Sequence, residues 1–189
     1  MADKFLGVDF DVVTTTAKHE LGIEAEDVRG GNYGLSISQI DQFPGGPVTT
    51  TRTYFPGNRY KYVQASATIA IGDAVKIDDA AADLTKPGLV TPTTAVTDIV
   101  DGVAHVAIAS GSFGWITIKG RVNSAKVLDA GNAEGAALGA SGTAGTLVAI
   151  TAATPTAAEV IAAIRGGYGR RAMSLEDVGT NLWNVVLRG

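Results

Sequence analysis

The sequence has no cysteine among its 189 residues. This absence excludes disulfides, thiolate metal ligands and a cysteine nucleophile, so stability has to come from packing or assembly. No apolar run approaches the roughly 18 residues of a membrane-spanning helix. Residues 1–4 do not lead into the apolar core of a signal peptide. We therefore expect no membrane association, and synthesis in the cytoplasm.

Positive charge is also scarce, because 15 Lys and Arg stand against 19 Asp and Glu, which gives a net charge of -4. Proteins that bind nucleic acid usually carry a basic face, so we expect no direct contact with DNA or RNA. The two histidines, His19 and His105, lie far apart and match no metal-ligand spacing. We predict no metal site and no other cofactor.

Catalytic motifs are missing as well. Gly111-Ser112-Phe113-Gly114 lacks the spacing of a nucleophile elbow. Carboxylates at positions 73, 78, 79 and 101 could in principle hydrolyse a glycosidic bond. Each of them lies in a turn-like stretch, however, where Asp accepts hydrogen bonds from backbone amides. We expect that the chain is not an enzyme.

Small and β-branched residues are abundant, and glycine alone accounts for 24 positions. β-branched side chains favour strands, and glycine accepts the positive φ of tight turns. Short extended runs predict strands over 60–65, 74–77, 89–91, 145–150 and 181–187. Thr154-Pro155, followed by apolar residues at helical spacing, predicts one short helix near 156–165. The predicted fold is mainly β, a small β-barrel or β-sandwich with an extended N-terminal arm.

The clearest strand signal is a hairpin over 103–119. Its alternation predicts a core face that carries Val106, Ile108, Ile116 and Ile118. The opposite face carries His105, Trp115, Thr117 and Lys119 and has two interpretations. Either Trp115 packs beneath a neighbouring loop, or Trp115 and His105 contact a partner, since an aromatic ring beside a His and a Lys is typical of an interface.

Residues 1–57 differ from the rest, because short apolar pieces alternate with acidic and Gly-rich stretches. We predict an N-terminal arm over 1–57 and a β-rich domain over 58–189. Residues 48–55 are extended by propensity and could add a strand to the sheet edge of another protein; the alternative is an ordinary strand of the same domain. Arg forms bidentate bonds to carboxylates, and aromatic rings anchor interfaces. The candidate partner-binding residues here are therefore Arg52, Tyr54, Phe55 and Arg59.

From Arg59 to Gly189 the pattern resembles the capsid decoration, or cement, proteins of tailed phages. The resemblance rests on Tyr60-Lys61-Tyr62-Val63, Ile71-Gly72-Asp73-Ala74-Val75, Gly102-Val103-Ala104, residues 114–122 and residues 169–173. It implies a compact β-barrel or sandwich, usually a homotrimer, on the outer surface of the capsid, with an arm that often extends over neighbouring shell subunits. The implied partners are the major capsid protein and further copies of the chain itself.

Two functions are consistent with these features. The first is a structural virion protein that decorates and stabilises the outside of a phage capsid by bridging major capsid protein subunits. The alternative is a virion-displayed module that binds a host surface or a glycan, because exposed aromatic rings such as those of Trp115, Tyr54 and Phe55 stack on sugars.

Overall fold

The computed structural model describes residues 9–26, 58–78, 88–150 and 171–188. These ranges are mainly β, as the sequence predicts, and none of them contains a helix that could span a membrane. The predicted helix near 156–165 lies outside them. The strands are β1 Glu24–Glu26, β2 Arg59–Ala65, β3 Ala74–Ile77, β4 Leu89–Pro92, β5 Gly102–Val103, β6 Phe113–Lys126, β7 Ala137–Ala140, β8 Leu147–Ala149, β9 Arg171–Gly179 and β10 Leu182–Arg188.

Five strands close into a small β-barrel. Their order is β2–β4–β3–β5–β6, and β6 pairs back onto β2. β2 and β4 run parallel, whereas the other pairs of this ring are antiparallel. Alternation directs Val63, Ile116 and Ile118 into an aliphatic core that also holds Ile69 and Ile108. Each strand of the ring thus has a neighbour on both sides, and the barrel buries its own core.

The predicted hairpin is partly right. β5 and β6 pair antiparallel, with Val103 opposite Thr117, and the core face is confirmed because Ile108, Ile116 and Ile118 are fully buried. Its length is wrong, since β5 ends at Val103 and Ile108 pairs with Ile69 instead. The reason is local: the next carbonyl, that of residue 104, accepts a hydrogen bond from the backbone amide of residue 72, which draws the chain away from β6.

The second half of β6 belongs to another curved sheet, in the order β6–β10–β9–β7–β8. A parallel bridge between Val127 and Leu147 returns its far strand to the end of β6, so this half also curls into a ring. Its core cluster is distinct from the aliphatic barrel cluster, although it also includes Ala74 of β3 and Val103 of β5, and it contains the predicted inward residues of β10. Trp183, Val185 and Leu187 are all at most 8% exposed, which confirms their predicted place in a core.

The turn at Ile71–Asp73 locks the two rings together. Gly72 has φ 82° and lies so close to the backbone oxygen of Ser124 that a Cβ atom would collide with it. The Asp73 carboxylate accepts hydrogen bonds from the amide of Ala70 at 2.7 Å and from Lys126 Nζ at 2.6 Å. One barrel turn is therefore fixed to β6 by a glycine contact and an ion pair.

Candidate functional site: a covered aromatic face

The outward side chains of β2 and β6 form an aromatic face on the barrel. We define this face by Tyr60, Tyr62, Phe113 and Trp115. Tyr60 and Tyr62 leave the barrel core on alternate positions of β2, and Tyr62 lies opposite Trp115 in the register of the two strands. Tyr60, Tyr62 and Trp115 are nevertheless at most 3% exposed. Another part of the chain must therefore cover them.

That cover is the segment 9–26, which we call the strap. Phe10 stacks on Tyr60 with ring centroids 4.1 Å apart and meets Trp115 edge-on at 5.3 Å. His19 contacts Tyr62 and Trp115 at 5.0 and 5.3 Å. Such ring contacts add ~0.5–1.5 kcal/mol each to the burial of apolar area. The strap and the aromatic face thus form a third apolar cluster, distinct from the two ring cores.

Backbone hydrogen bonds fix the register of the strap on the barrel. Thr14 and Phe113 exchange two of them, at 2.9 and 2.8 Å. Tyr62 donates its backbone amide to Ile23 O at 2.9 Å, and its hydroxyl accepts from the amide of Lys18 at 2.9 Å. β1 then pairs antiparallel with the start of β2. The described portion of the predicted arm therefore packs against the domain rather than standing apart from it.

His105 connects the strap to β6 through hydrogen bonds at both ring nitrogens. Its Nε2–H donates to the carbonyl of Phe10 at 2.9 Å, because a carbonyl can only accept. Nδ1 then accepts from the Thr117 hydroxyl at 3.3 Å. Burial lowers the pKa of His105 below its usual value, while the Phe10 carbonyl and Asp11, 3.7 Å away, oppose that shift. The ring is thus held neutral, with a hydrogen bond at both nitrogens.

The predicted partner-binding residues fall into three groups: buried, exposed at the surface, and outside the described residues. Trp115 and His105 are 3% and 5% exposed, so the first interpretation of their face applies: they pack beneath a segment of the chain itself. Arg59 lies at the surface, with Nε 3.8 Å from Glu26. Arg52, Tyr54 and Phe55 lie outside the described residues.

Two of the candidate catalytic carboxylates, Asp73 and Asp101, form ion pairs with lysines. Asp101 binds Lys61 Nζ at 2.8 Å, and Asp73 binds Lys126 as described above. Asp98, which the sequence did not single out, binds Lys76 at 2.9 Å and accepts from the amides of residues 94 and 95. Within the described ranges no three His, Cys, Asp or Glu side chains come together as metal ligands.

A surface groove of about 610 Å³ lies on the second ring. Three of its six lining residues are acidic, and Arg121 Nη2 lies 3.8 Å from Glu176 Oε2. The backbone amide of Asn181 and the indole N–H of Trp183 each donate to Asp129 at 2.9 Å, and these two hydrogen bonds lower the pKa of that carboxyl below its usual value. The groove is lined by Arg121, Glu134, Leu175, Glu176, Asp177 and Trp183.

Sequence reasoning missed the strap residue Phe10 and the role of the two tyrosines. The alternation of Tyr60 and Tyr62 signals an aromatic side of β2, but nothing in the short polar run around Phe10 shows what covers it. Comparison with known proteins adds no further guide: the chain matches no family model, no curated protein and no solved structure.

Proposed function

We propose that the chain is a structural virion protein that decorates and stabilises the outer surface of a tailed-phage capsid. It binds the major capsid protein, as a homotrimer, and bridges neighbouring subunits of the shell. This proposal rests on the resemblance of its residue pattern, and one structural observation carries it: most of the described residues of that pattern lie in the strands and turns of the barrel, while residues 171–173 lie in β9 of the second ring.

At each described glycine of the pattern an added Cβ atom would come closer than 3.0 Å to a neighbouring atom. A Cβ atom on Gly102 would lie 2.7 Å from Thr117 O, and one on Gly114 would lie 2.9 Å from Ile108 Cδ1. Gly72 and Gly120, with φ of 82° and 102°, approach Ser124 and Asn58 still more closely. The pattern is therefore one of strand packing and closure, as suits a scaffold protein.

Two charged residues of the pattern, Lys61 and Asp73, form ion pairs that hold separate segments of the chain together. Lys61 lies opposite Ile116 on the inward side of β2, and its ammonium group pairs with Asp101, both side chains being less than one-fifth exposed. Asp73 joins the barrel to β6 through Lys126. These ion pairs connect segments that lie 40 and 53 positions apart in sequence, which supports a rigid structural role.

Many copies of the protein, each making a modest contact with capsid subunits, together stabilise the shell. Each bound copy favours the assembled shell over its separated subunits, because it binds the former and not the latter. A trimer that engages several capsid subunits at once binds multivalently, so weak individual contacts give a strong combined hold. No chemical reaction is involved in this mechanism.

The exposed apolar side chains are the first candidates for shell contacts in the described ranges. Ile71 is the most exposed of them at 55%, and it projects from the turn that locks the two rings. Loss of one such contact in every copy would weaken a multivalent interaction strongly. The Ile71→Asp variant therefore tests whether this turn faces the shell.

The experiment mixes the purified protein with decoration-free heads of the phage that encodes it. We expect the protein to co-sediment with these heads and to raise their melting temperature, and heads of an unrelated phage are the control. Absence of both effects contradicts the proposal. Binding to a glycan array without binding to heads would favour the host-surface alternative, whose Trp115 is covered by the strap in this structure.

A further inference from the structure

We propose that the aromatic face is an exchangeable docking site, on which the strap of a second copy of the chain takes the place of the chain's own strap. The exchange links two copies through contacts that each copy already makes internally. It is a property of the protein alone and does not depend on a capsid.

The first support is that the barrel closes without the strap. β2 and β6 pair with each other directly, and the aliphatic core is enclosed by the five strands of the ring. The strap contributes chiefly to the separate aromatic cluster, with Val13 as its one described side chain against the barrel core. Removing the strap therefore uncovers an aromatic surface and leaves both rings intact.

The second support is the nature of the contacts. The strap binds through the Thr14–Phe113 backbone pair, the stack of Phe10 on Tyr60 and the pairing of β1 with β2. An identical strap from another copy can form all of these contacts in the same geometry. Exchange of identical elements between copies costs little because every interaction is conserved.

The third support is the chain length between the strap and β2. Residues 27–57 connect them, and a chain of that length spans up to ~100 Å at ~3.3 Å per residue. This exceeds the distance between the faces of two adjacent small domains. Docking on a second copy joins two molecules, whereas docking within one chain does not. We therefore expect exchange between copies to increase with the protein concentration at which the chains refold.

The absence of cysteine allows a direct test by disulfide trapping. Thr14 and Phe113 are directly paired across antiparallel backbones, a separation that a disulfide can bridge. The single variants Thr14→Cys and Phe113→Cys are unfolded together, refolded at increasing concentration and oxidised. A disulfide between these two variants, in excess of that formed by random collision, reports a strap docked on another copy. Mixing Thr14→Cys with Glu176→Cys, a surface position on β9, measures random collision.

A second pair of cysteine positions is needed because Phe113→Cys removes a ring of the aromatic face. Glu26 and Arg59 are opposed in β1 and β2, and both side chains are about half exposed. The single variants Glu26→Cys and Arg59→Cys therefore fold without loss of core packing. Each double variant, Thr14→Cys/Phe113→Cys and Glu26→Cys/Arg59→Cys, reports whether the paired cysteines meet at all.

We expect mixed dimers of both pairs to exceed the collision control several-fold and to increase with protein concentration. The proposal is overturned if the mixed pairs stay at the control level at every concentration while the double variants form their disulfide within one chain. It is also overturned if the double variants form no disulfide, since the strap would then not dock as described.

Discussion

The two rings that share β6 are built from different residues. The barrel core is dominated by β-branched side chains, among them Val63, Ile69, Ile108, Ile116 and Ile118. The core of the second ring is rich in alanine and takes its bulk from a few larger side chains, such as Trp183 and Leu187. The barrel core thus gains stability from interlocked branched side chains along alternating strands, whereas the second core combines small alanines and valines with larger leucine and tryptophan side chains.

The largest effects are expected from truncation in either core. Ile116→Ala in the barrel and Leu187→Ala in the second ring each remove a fully buried aliphatic side chain. We expect both to lower the free energy of unfolding by about 3 kcal/mol, because each leaves a cavity. Because β6 contributes to both rings, we expect the two rings to unfold in one transition in either variant.

The two tryptophans allow that comparison to be measured. Trp115 lies on the barrel and Trp183 in the second ring, so Trp183→Phe and Trp115→Phe backgrounds report each ring separately in urea titrations. Ile71→Ala, at a position that is 55% exposed, is the control and should change stability by less than ~0.5 kcal/mol. Separate transitions for the two probes would show that β6 does not couple the rings.

The next largest effect concerns the ion pair at the barrel. Lys61→Ala leaves Asp101 without its ammonium partner in a site where that carboxylate is 18% exposed. We expect a loss of about 2 kcal/mol, less than for a fully buried pair. The control is Arg59→Ala, since the Arg59–Glu26 pair is about half exposed and exposed pairs contribute ~0–1 kcal/mol. Equal losses in the two variants, measured by chemical denaturation, would contradict this account.

The same contrast explains how far the sequence predicts the fold. Alternation of β-branched and aromatic residues predicted β2, β3, β4 and β10, and the barrel class with them. β7 was missed because Ala137–Ala140 neither alternates nor favours strands. The length of β6 was missed because a glycine and a serine, Gly120 and Ser124, are residues that often end a strand. In the structure both have positive φ, and β6 continues past them into the second ring.

The candidate site was less predictable than the fold. The alternation placed His105 and Trp115 on the face opposite the core, and the structure agrees. Their cover, however, comes from Phe10, which is 95 positions from His105 in sequence. The strap has a single three-residue strand and no apolar periodicity, so no local signal indicates where it docks. The position of the strap is determined by the aromatic face that it buries, and that face forms only once β2 and β6 have paired.

A smaller effect is expected from a glycine beneath the strap. A Cβ atom on Gly88 would lie 2.7 Å from the backbone nitrogen of Gly22 and 2.9 Å from Leu21 Cβ. Gly88→Ala should therefore displace the strap, costing about 1–2 kcal/mol, and leave both rings folded. Acrylamide quenching of Trp115 in the Trp183→Phe background should increase. Gly142→Ala, where the added Cβ meets open space, is the control. Unchanged quenching in Gly88→Ala would mean that the strap accommodates the methyl group.

The smallest effect is a pH dependence of stability at His105, the residue that joins the strap to the barrel. Burial lowers the pKa of His105 below the usual value of 6.5, whereas the unfolded chain keeps that value. Well above pH 6.5 the ring is neutral in both states. As the pH falls below 6.5 the unfolded chain takes up the proton first, so stability is lost in that range.

His105→Gln can keep a hydrogen bond to Phe10 O but does not titrate. We therefore expect the melting temperature of the native protein, relative to that of His105→Gln, to fall between pH 7.5 and pH 5. Parallel curves for the two proteins would show that Asp11, 3.7 Å away, offsets the burial of the imidazole.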